Sequence, residues 1–588
     1  MRMKKEPIQL TGETLTIEEV IKVAYKRAEI SIADAIIDNA LKSQEKIKEK
    51  GDAGKVIYGV TTGFGSNADK VIKSDEYIEV ADSNGKKIKV RKLEQLQTNL
   101  LRSHACGVGD NFSEPIVRAI MVIRLNTLIK GFSGVQKKTI EVLMQFINKE
   151  VHPVIPQQGS VGSSGDLCPL SHMALPLIGE GYVTYKGQEM KSHDFFEKYA
   201  GSLGIEKVSL GYKEGLALNN GTTVMTAVGV MAIVQAEEIL NVALVNSTLL
   251  YEALCAREDF YGYDKLHIVR RHTGQADIAS AIKTIAQGSN YINLFAEEFK
   301  KLDKNNTIDS VSDEIIASQK LRDYDDDRKG TLKTFVKKKS KPQDSYSVRC
   351  SPQVFGASLH AIRHVRSVLK EELNAAVDNP LIFVEDDRVI SGGNFHGQPI
   401  ALVMDYLKLA VAEIGNIVER QINKLVDDAT NDGLPPFLTN DGGLNSGLMI
   451  PQYAAASLVS ENKVLVHPAS ADSIPTCANT EDHVSMGTIA ARQALEITQN
   501  VRKIISIAIL TAHHGFMLRG AQLKFWGLKG MKQAEKTNAL YNKVKSIIPG
   551  LESEEALNLD RFVYDDLKSI QNNWSEFVSL AGNNLKME

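Results

Sequence analysis

The chain has 588 residues, with 69 basic against 72 acidic side chains and a formal net charge of -3. So even a balance gives no electrostatic footprint for nucleic acid or an acidic membrane surface, and neither partner is expected. Its 43% hydrophobic and 24% charged content is that of an ordinary soluble globular protein, which excludes a disordered or fibrous class.

The chain starts with a short basic run, Arg2, Lys4 and Lys5, but the first twenty residues lack the apolar core of a secretion signal. Thr16 and Glu19 then form a capping-box pattern, which predicts an amphipathic helical run to about residue 50. Residues 78–90 (IEVADSNGKKIKV) read as a hairpin turning at Asn84-Gly85. A helix is predicted over 116–130, started by Pro115 and stopped by Gly131. Residues 183–190 (VTYKGQEM) suggest a second hairpin. A very long apolar segment covers about 222–257. Its most apolar part, 224–234, is followed at once by Glu237 and Glu238, so it reads as a buried core helix and not a membrane span. Residues 296–342 are densely charged, which predicts a solvated helical excursion or mobile loop.

Beyond that, 353–376, 400–427, 452–465 and 484–516 repeat apolar residues at three- and four-residue steps. Helices so long and so apolar pack in the centre of a bundle. No strand–helix alternation appears, so a doubly wound sheet is not expected. The expectation is a mainly α fold with few short strands: an N-terminal part (1–215), a central helical bundle (216–530) and a C-terminal helical segment (531–588). Five cysteines, Cys106, Cys168, Cys255, Cys350 and Cys477, make an odd set with no CxxC pair. Structural zinc and a disulfide framework are not expected, and a reducing cytoplasm fits.

The stretch richest in chemistry is GSVGSSGDLCPLSH, residues 159–172. Glycines permit tight turns that other residues resist. A Ser-Gly pair in such a turn brings an amide nitrogen near a preceding carbonyl carbon. Cyclisation and water loss would then make an electrophile from the backbone itself. The competing reading is an anion-binding loop. No phosphate-loop lysine follows, and the P-loop and GxGxxG patterns do not fit.

The same stretch resembles the signature of the histidine/phenylalanine/tyrosine ammonia-lyase family, and the resemblance continues in order over roughly residues 10–580. It is carried by YGVTTGFGS (58–66), LQTNLLRSHACGVG (96–109), NNGTTVM (219–225), QDSYSVRCSPQV (343–354), NAAVDNPLIF (374–383), SGGNFHG (391–397), GLNSGLMIPQ (443–452) and HPASADSIPTCANTEDHVSMG (467–487). The resemblance implies an ammonia-lyase/fumarase-like bundle, with the smaller N-terminal part carrying the cofactor loop. It implies a built-in 4-methylideneimidazol-5-one (MIO) formed from Ser163-Ser164-Gly165, with serine where alanine is usual, and no external cofactor or metal. Tyr58 matches a catalytic tyrosine on a mobile loop. It suits the role of base if the local field lowers its pKa toward working pH. Asn220 and Gln343 match donors near the cofactor and the developing anion. Tyr346 matches a site tyrosine, Arg349 a two-pronged carboxylate binder, and Phe395 a substrate contact. Ser103-His104 and Glu481 match the histidine branch, because a polar pair suits a ring that can hydrogen-bond.

The implied assembly is a homotetramer with active sites shared among subunits. Gln343, Tyr346, Arg349 and Glu481 would come from chains other than the one carrying Tyr58 or the cofactor. The implied reaction is L-histidine to urocanate and ammonia, on a small-molecule amino acid substrate. Departures at Thr61, Asn219, Thr223, Pro451 and Thr480 leave room for a modified histidine or another polar aromatic amino acid. The alternatives are an aromatic 2,3-aminomutase using the same cofactor, and a catalytically silent binding protein.

Overall fold

Thr16 opens the first helix, Ile17–Lys26, with a complete capping box: its side chain accepts from the Glu19 N–H, and the Glu19 carboxylate accepts from the Thr16 N–H. The helix does not run on to residue 50. Arg27 turns left-handed, the strand Ile30–Ile32 pairs in parallel with Ile8–Leu10, and a separate helix spans Asp34–Asp52. A strand of three residues is too short to show its period of two inside a helical pattern.

This computed structural model describes residues 6–81, 87–296, 308–318, 326–528, 530–553 and 558–587. Among the described residues helices dominate, with two- and three-stranded sheets between them, so the chain is mainly α as its sequence predicts. Both predicted hairpins form. Tyr77–Ala81 pairs antiparallel with Lys87–Arg91, while the Asn84-Gly85 turn lies outside the described residues. Tyr182–Tyr185 pairs with Gln188–Lys191. The helix Glu114–Leu128 carries Pro115 in its first turn and ends before Gly131, whose φ of 90° is left-handed. Five longer helices follow: Thr223–Ala253, Ser351–Glu372, Gln398–Val426, Met449–Leu465 and Gly487–Phe525. The first and last are long and apolar enough to cross a membrane, but 78% and 83% of their most apolar windows are buried inside the protein. They are core helices.

The chain forms two compact units. One comprises residues 1–233, 365–406 and 468–495; the other comprises 234–364, 407–467 and 496–588. The first is built around fully buried Ile120, Leu125, Leu143, Phe146 and Leu170. Within it, the Lys213 ammonium and the Asp378 carboxylate form a fully buried ion pair, and both also bond to Ser133. Such a pair holds because the remaining polar valences are met. The second unit is built around Leu244, Ile282, Phe355, Leu359 and Ile504. There, Tyr251 donates to Ser351 and Gln421 donates to the Ser347 carbonyl, which fixes the segment after residue 343.

The described parts of 296–342 are not wholly solvated. They include two helices, Ile308–Ser318 and Asp326–Lys339, with Ile315, Leu332, Phe335 and Val336 buried. The Phe335 ring lies 5.2 Å from that of Trp526, and the Arg519 guanidinium sits 4.9 Å from it. Lys339, only 5% exposed, bonds to Asp344 and Asp432 at 3.1 and 3.3 Å. Averaging charge over the segment hides a narrow apolar stripe on its helices. Phe335→Ala is therefore expected to cost about 3–5 kcal/mol in urea unfolding. An unchanged midpoint would show that this helix adds no packing.

Candidate active site

The loop before helix Leu167–Ala174 is held at both ends. Ser160 Oγ donates to Asp166 Oδ1 at 3.2 Å, and the Asp166 N–H donates to the Gly221 carbonyl at 2.7 Å. The Asp166 carboxylate then accepts from the N–H groups of Val224 and Met225 at 2.8 and 2.9 Å, at the start of helix Thr223–Ala253, and from Thr488. Unmet helix N–H groups favour an anion there. Complete burial nevertheless pushes Asp166 up to about 6, against these hydrogen bonds. Gly165, at φ 73°, runs against Gly221, and a Cβ on it would collide with the Gly221 backbone. Only glycine fits at that position.

Around this loop one cavity of about 620 Å³ gathers Tyr58, Ser103, His104, Ser164, Asn220, Phe395 and Glu481, residues drawn from segments far apart in sequence. Asn220 Nδ2 donates to the Ser164 carbonyl at 2.7 Å. Behind it, the buried Arg124 guanidinium donates to the Asn220 carbonyl at 2.7 Å. Glu481 Oε1 accepts from Ser164 Oγ at 2.5 Å, and Oε2 accepts from Ser163 Oγ at 2.9 Å. Glu481 thus meets the triplet within the same chain; the expectation that another chain supplies it is corrected. Its position comes from a turn, Thr476 to Glu481, which sequence spacing cannot fold in advance.

Tyr58 stands with its ring edge-on to Phe64 at 6.4 Å, and its hydroxyl accepts from the Gly65 N–H at 3.0 Å. Gly65 is left-handed at φ 54°, and a Cβ there would strike Cys477 Sγ. The expected lowering of the Tyr58 pKa is not found within the chain. Burial pushes the phenol up, the Gly65 N–H opposes this, and the negative charge of Glu481 adds to the rise. Removing water from a phenolate costs more than one amide donor returns. His104 bonds to Ser103 Oγ through Nδ1 at 2.9 Å, and burial lowers its pKa, which favours the neutral imidazole.

Gln343, Tyr346 and Arg349 do not line this cavity. They line another of about 690 Å³ in the second unit. Arg349 spends its Nε on the Asp344 carbonyl at 2.9 Å and stacks on the Tyr346 ring at 4.4 Å. Tyr346 is 71% exposed.

The family model for aromatic amino acid lyases matches residues 15–546. The chain belongs to that family. Among the aromatic amino acid lyases, a relative named histidine ammonia-lyase, from Caldanaerobacter subterraneus subsp. tengcongensis, is 42% identical over 95% of each chain. Among solved structures, the tyrosine aminomutase of Streptomyces globisporus matches with a TM-score of 0.81 at 34% identity, covering 98% of each chain. The histidine ammonia-lyase of Trypanosoma cruzi matches with a TM-score of 0.79 at 32% identity, covering 99% of this chain and 96% of that one. The fold is therefore that of the ammonia-lyases and aminomutases. Sequence reasoning missed Thr476, Cys477 and Asn379 at this candidate site. Each is a common residue type in a loop, and only chain folding brings it to the cavity.

Proposed function

We propose that this carbon–nitrogen lyase eliminates ammonia from L-histidine to give urocanate. The observation that carries the reading is the cavity that joins Ser164, the middle residue of a cyclisable Ser-Ser-Gly triplet, with Tyr58 and a polar Ser103–His104–Glu481 lining. The names of the 42% identical relatives support the same substrate.

The triplet fits MIO. Gly165 already occupies a cradle that admits no side chain, and Asn220 already donates to the Ser164 carbonyl. Asn220 Oδ1 is buried and has no hydrogen-bond partner among the described residues, which suits a site built for one more group. Two waters would leave: one when the Gly165 nitrogen bonds to the Ser163 carbonyl carbon, the other from the Ser164 hydroxyl and its Cα hydrogen. The group supplies an electrophile that makes the substrate amine a better leaving group. Ser163, Ser164 and Gly165 form it, and Asn220 holds it.

The remaining chemistry belongs to side chains. Tyr58 takes the β-proton as the α carbon–nitrogen bond breaks and the carbon–carbon double bond forms. His104 and Glu481 receive the imidazole ring, which phenyl could not satisfy. Phe395 packs on the ring. Arg349 clamps the substrate carboxylate with its planar fork, with Tyr346 and Gln343 beside it. We assign these last three to a neighbouring copy in a homotetramer with shared sites. The exposure of Tyr346 supports this, as do exposed Leu402, Leu409, Ile450, Tyr453 and Val464 on the helices Gln398–Val426 and Met449–Leu465. A cytoplasmic location agrees with five free cysteines.

The test is an ultraviolet assay of purified protein against histidine, tyrosine, phenylalanine and modified histidines. Absorbance of urocanate rising with histidine alone is the expected result. Accumulation of a β-amino acid on chiral analysis, or turnover of another substrate only, would overturn it.

A further inference from the structure

Glu481 is a carboxylate held by hydroxyls. Oε2 accepts from Ser163 Oγ and Thr476 Oγ1, each at 2.9 Å, and Oε1 accepts from Ser164 Oγ at 2.5 Å. Among the described residues no lysine, arginine or histidine forms an ion pair with it. Half-buried anions of this kind depend on their hydrogen-bond donors for position and charge. The turn that carries Glu481 is also built at a cost. Cys477, Ala478 and Asn479 are all left-handed, at φ 51°, 52° and 65°, and Thr476 closes the turn on Glu481 with paired backbone bonds of 2.9 and 3.3 Å. Three consecutive non-glycine residues in that region persist only where the surroundings over-determine them.

The three hydroxyls differ in fate. If the triplet cyclises as proposed above, the Ser164 oxygen leaves as water, while Ser163 and Thr476 keep theirs. Oε1 is then released and Oε2 stays held twice. We propose that Ser163 and Thr476 are positioning residues that pin Oε2 of Glu481, so that Oε1 alone is presented to the substrate. The first residue of the triplet therefore has a second task besides lending its carbonyl carbon to the ring. This inference rests on the reading of the site as a lyase.

The test compares Ser163→Ala, Thr476→Val and the double variant with the hydroxyl-retaining Ser163→Thr and Thr476→Ser. Intact mass is read first, and every variant is expected to be two waters lighter than its sequence. The double variant then loses kcat by about tenfold or more with KM little changed, while each hydroxyl-retaining variant loses less than its hydroxyl-free counterpart. A double variant that matures fully and keeps the parental kcat overturns the proposal.

A second readout needs neither cofactor nor turnover. In a Ser164→Ala background, the infrared carboxylate band that Glu481→Gln removes belongs to Glu481. That band is expected to shift when Ser163→Ala and Thr476→Val are added, and an unmoved band overturns the proposal. If the double variant does not fold, the single variants carry the same readouts. A parent with unreduced mass would defeat the functional reading, whereas the infrared arm would still decide the tether.

Discussion

Ser164→Ala is expected to leave a folded protein without the two-water mass deficit, whose ammonia release falls by roughly 10³-fold or more. The substitution removes the hydroxyl whose loss would give the middle residue of the triplet its electrophilic carbon, and leaves the Ser163 hydroxyl in place. The backbone it disturbs is otherwise secured. Asn220 bonds to the Ser164 carbonyl, Asp166 is tied to Gly221, Val224 and Met225, and Ser160 braces the turn. Melting should therefore stay close to the parent, which separates lost chemistry from lost fold. Among the described contacts, the substitution breaks only the Ser164–Glu481 bond. Full activity in a variant with no mass deficit would end the proposed mechanism.

Tyr58→Phe is expected to mature normally, two waters light, and to lose about 10²–10⁴ in kcat. The ring stays edge-on to Phe64 and only the hydroxyl goes, leaving the Gly65 N–H without its acceptor. The sign of the pH response follows from the environment. A base works in its deprotonated form, and burial pushes this phenol up, so the parent rate should climb as pH rises from neutral. Tyr58→Phe should flatten that climb. A variant with the parental rate and pH profile would remove Tyr58 from the chemistry.

The local signals were legible because they act over a few residues. The Thr16–Glu19 box, Pro115 at a helix start, Gly131 at its stop and the two hairpins each satisfy their own backbone groups nearby. The long apolar segments announced core helices for the same reason: their side chains leave no polar face to expose. The charged segment 296–342 misled, because Phe335 within it packs on Trp526, nearly two hundred residues away in sequence.

At the site, the residues themselves came from the sequence, since a cyclisable Ser-Ser-Gly run and its companion motifs are written in residue order. Their arrangement did not. That Glu481 meets Ser163 and Ser164 in one chain, and that Tyr58 is raised by burial instead of lowered, depend on which segments exclude water from one another. Motifs report chemical capability; desolvation and hydrogen-bond geometry arise only when distant segments pack, so tertiary structure alone decided them.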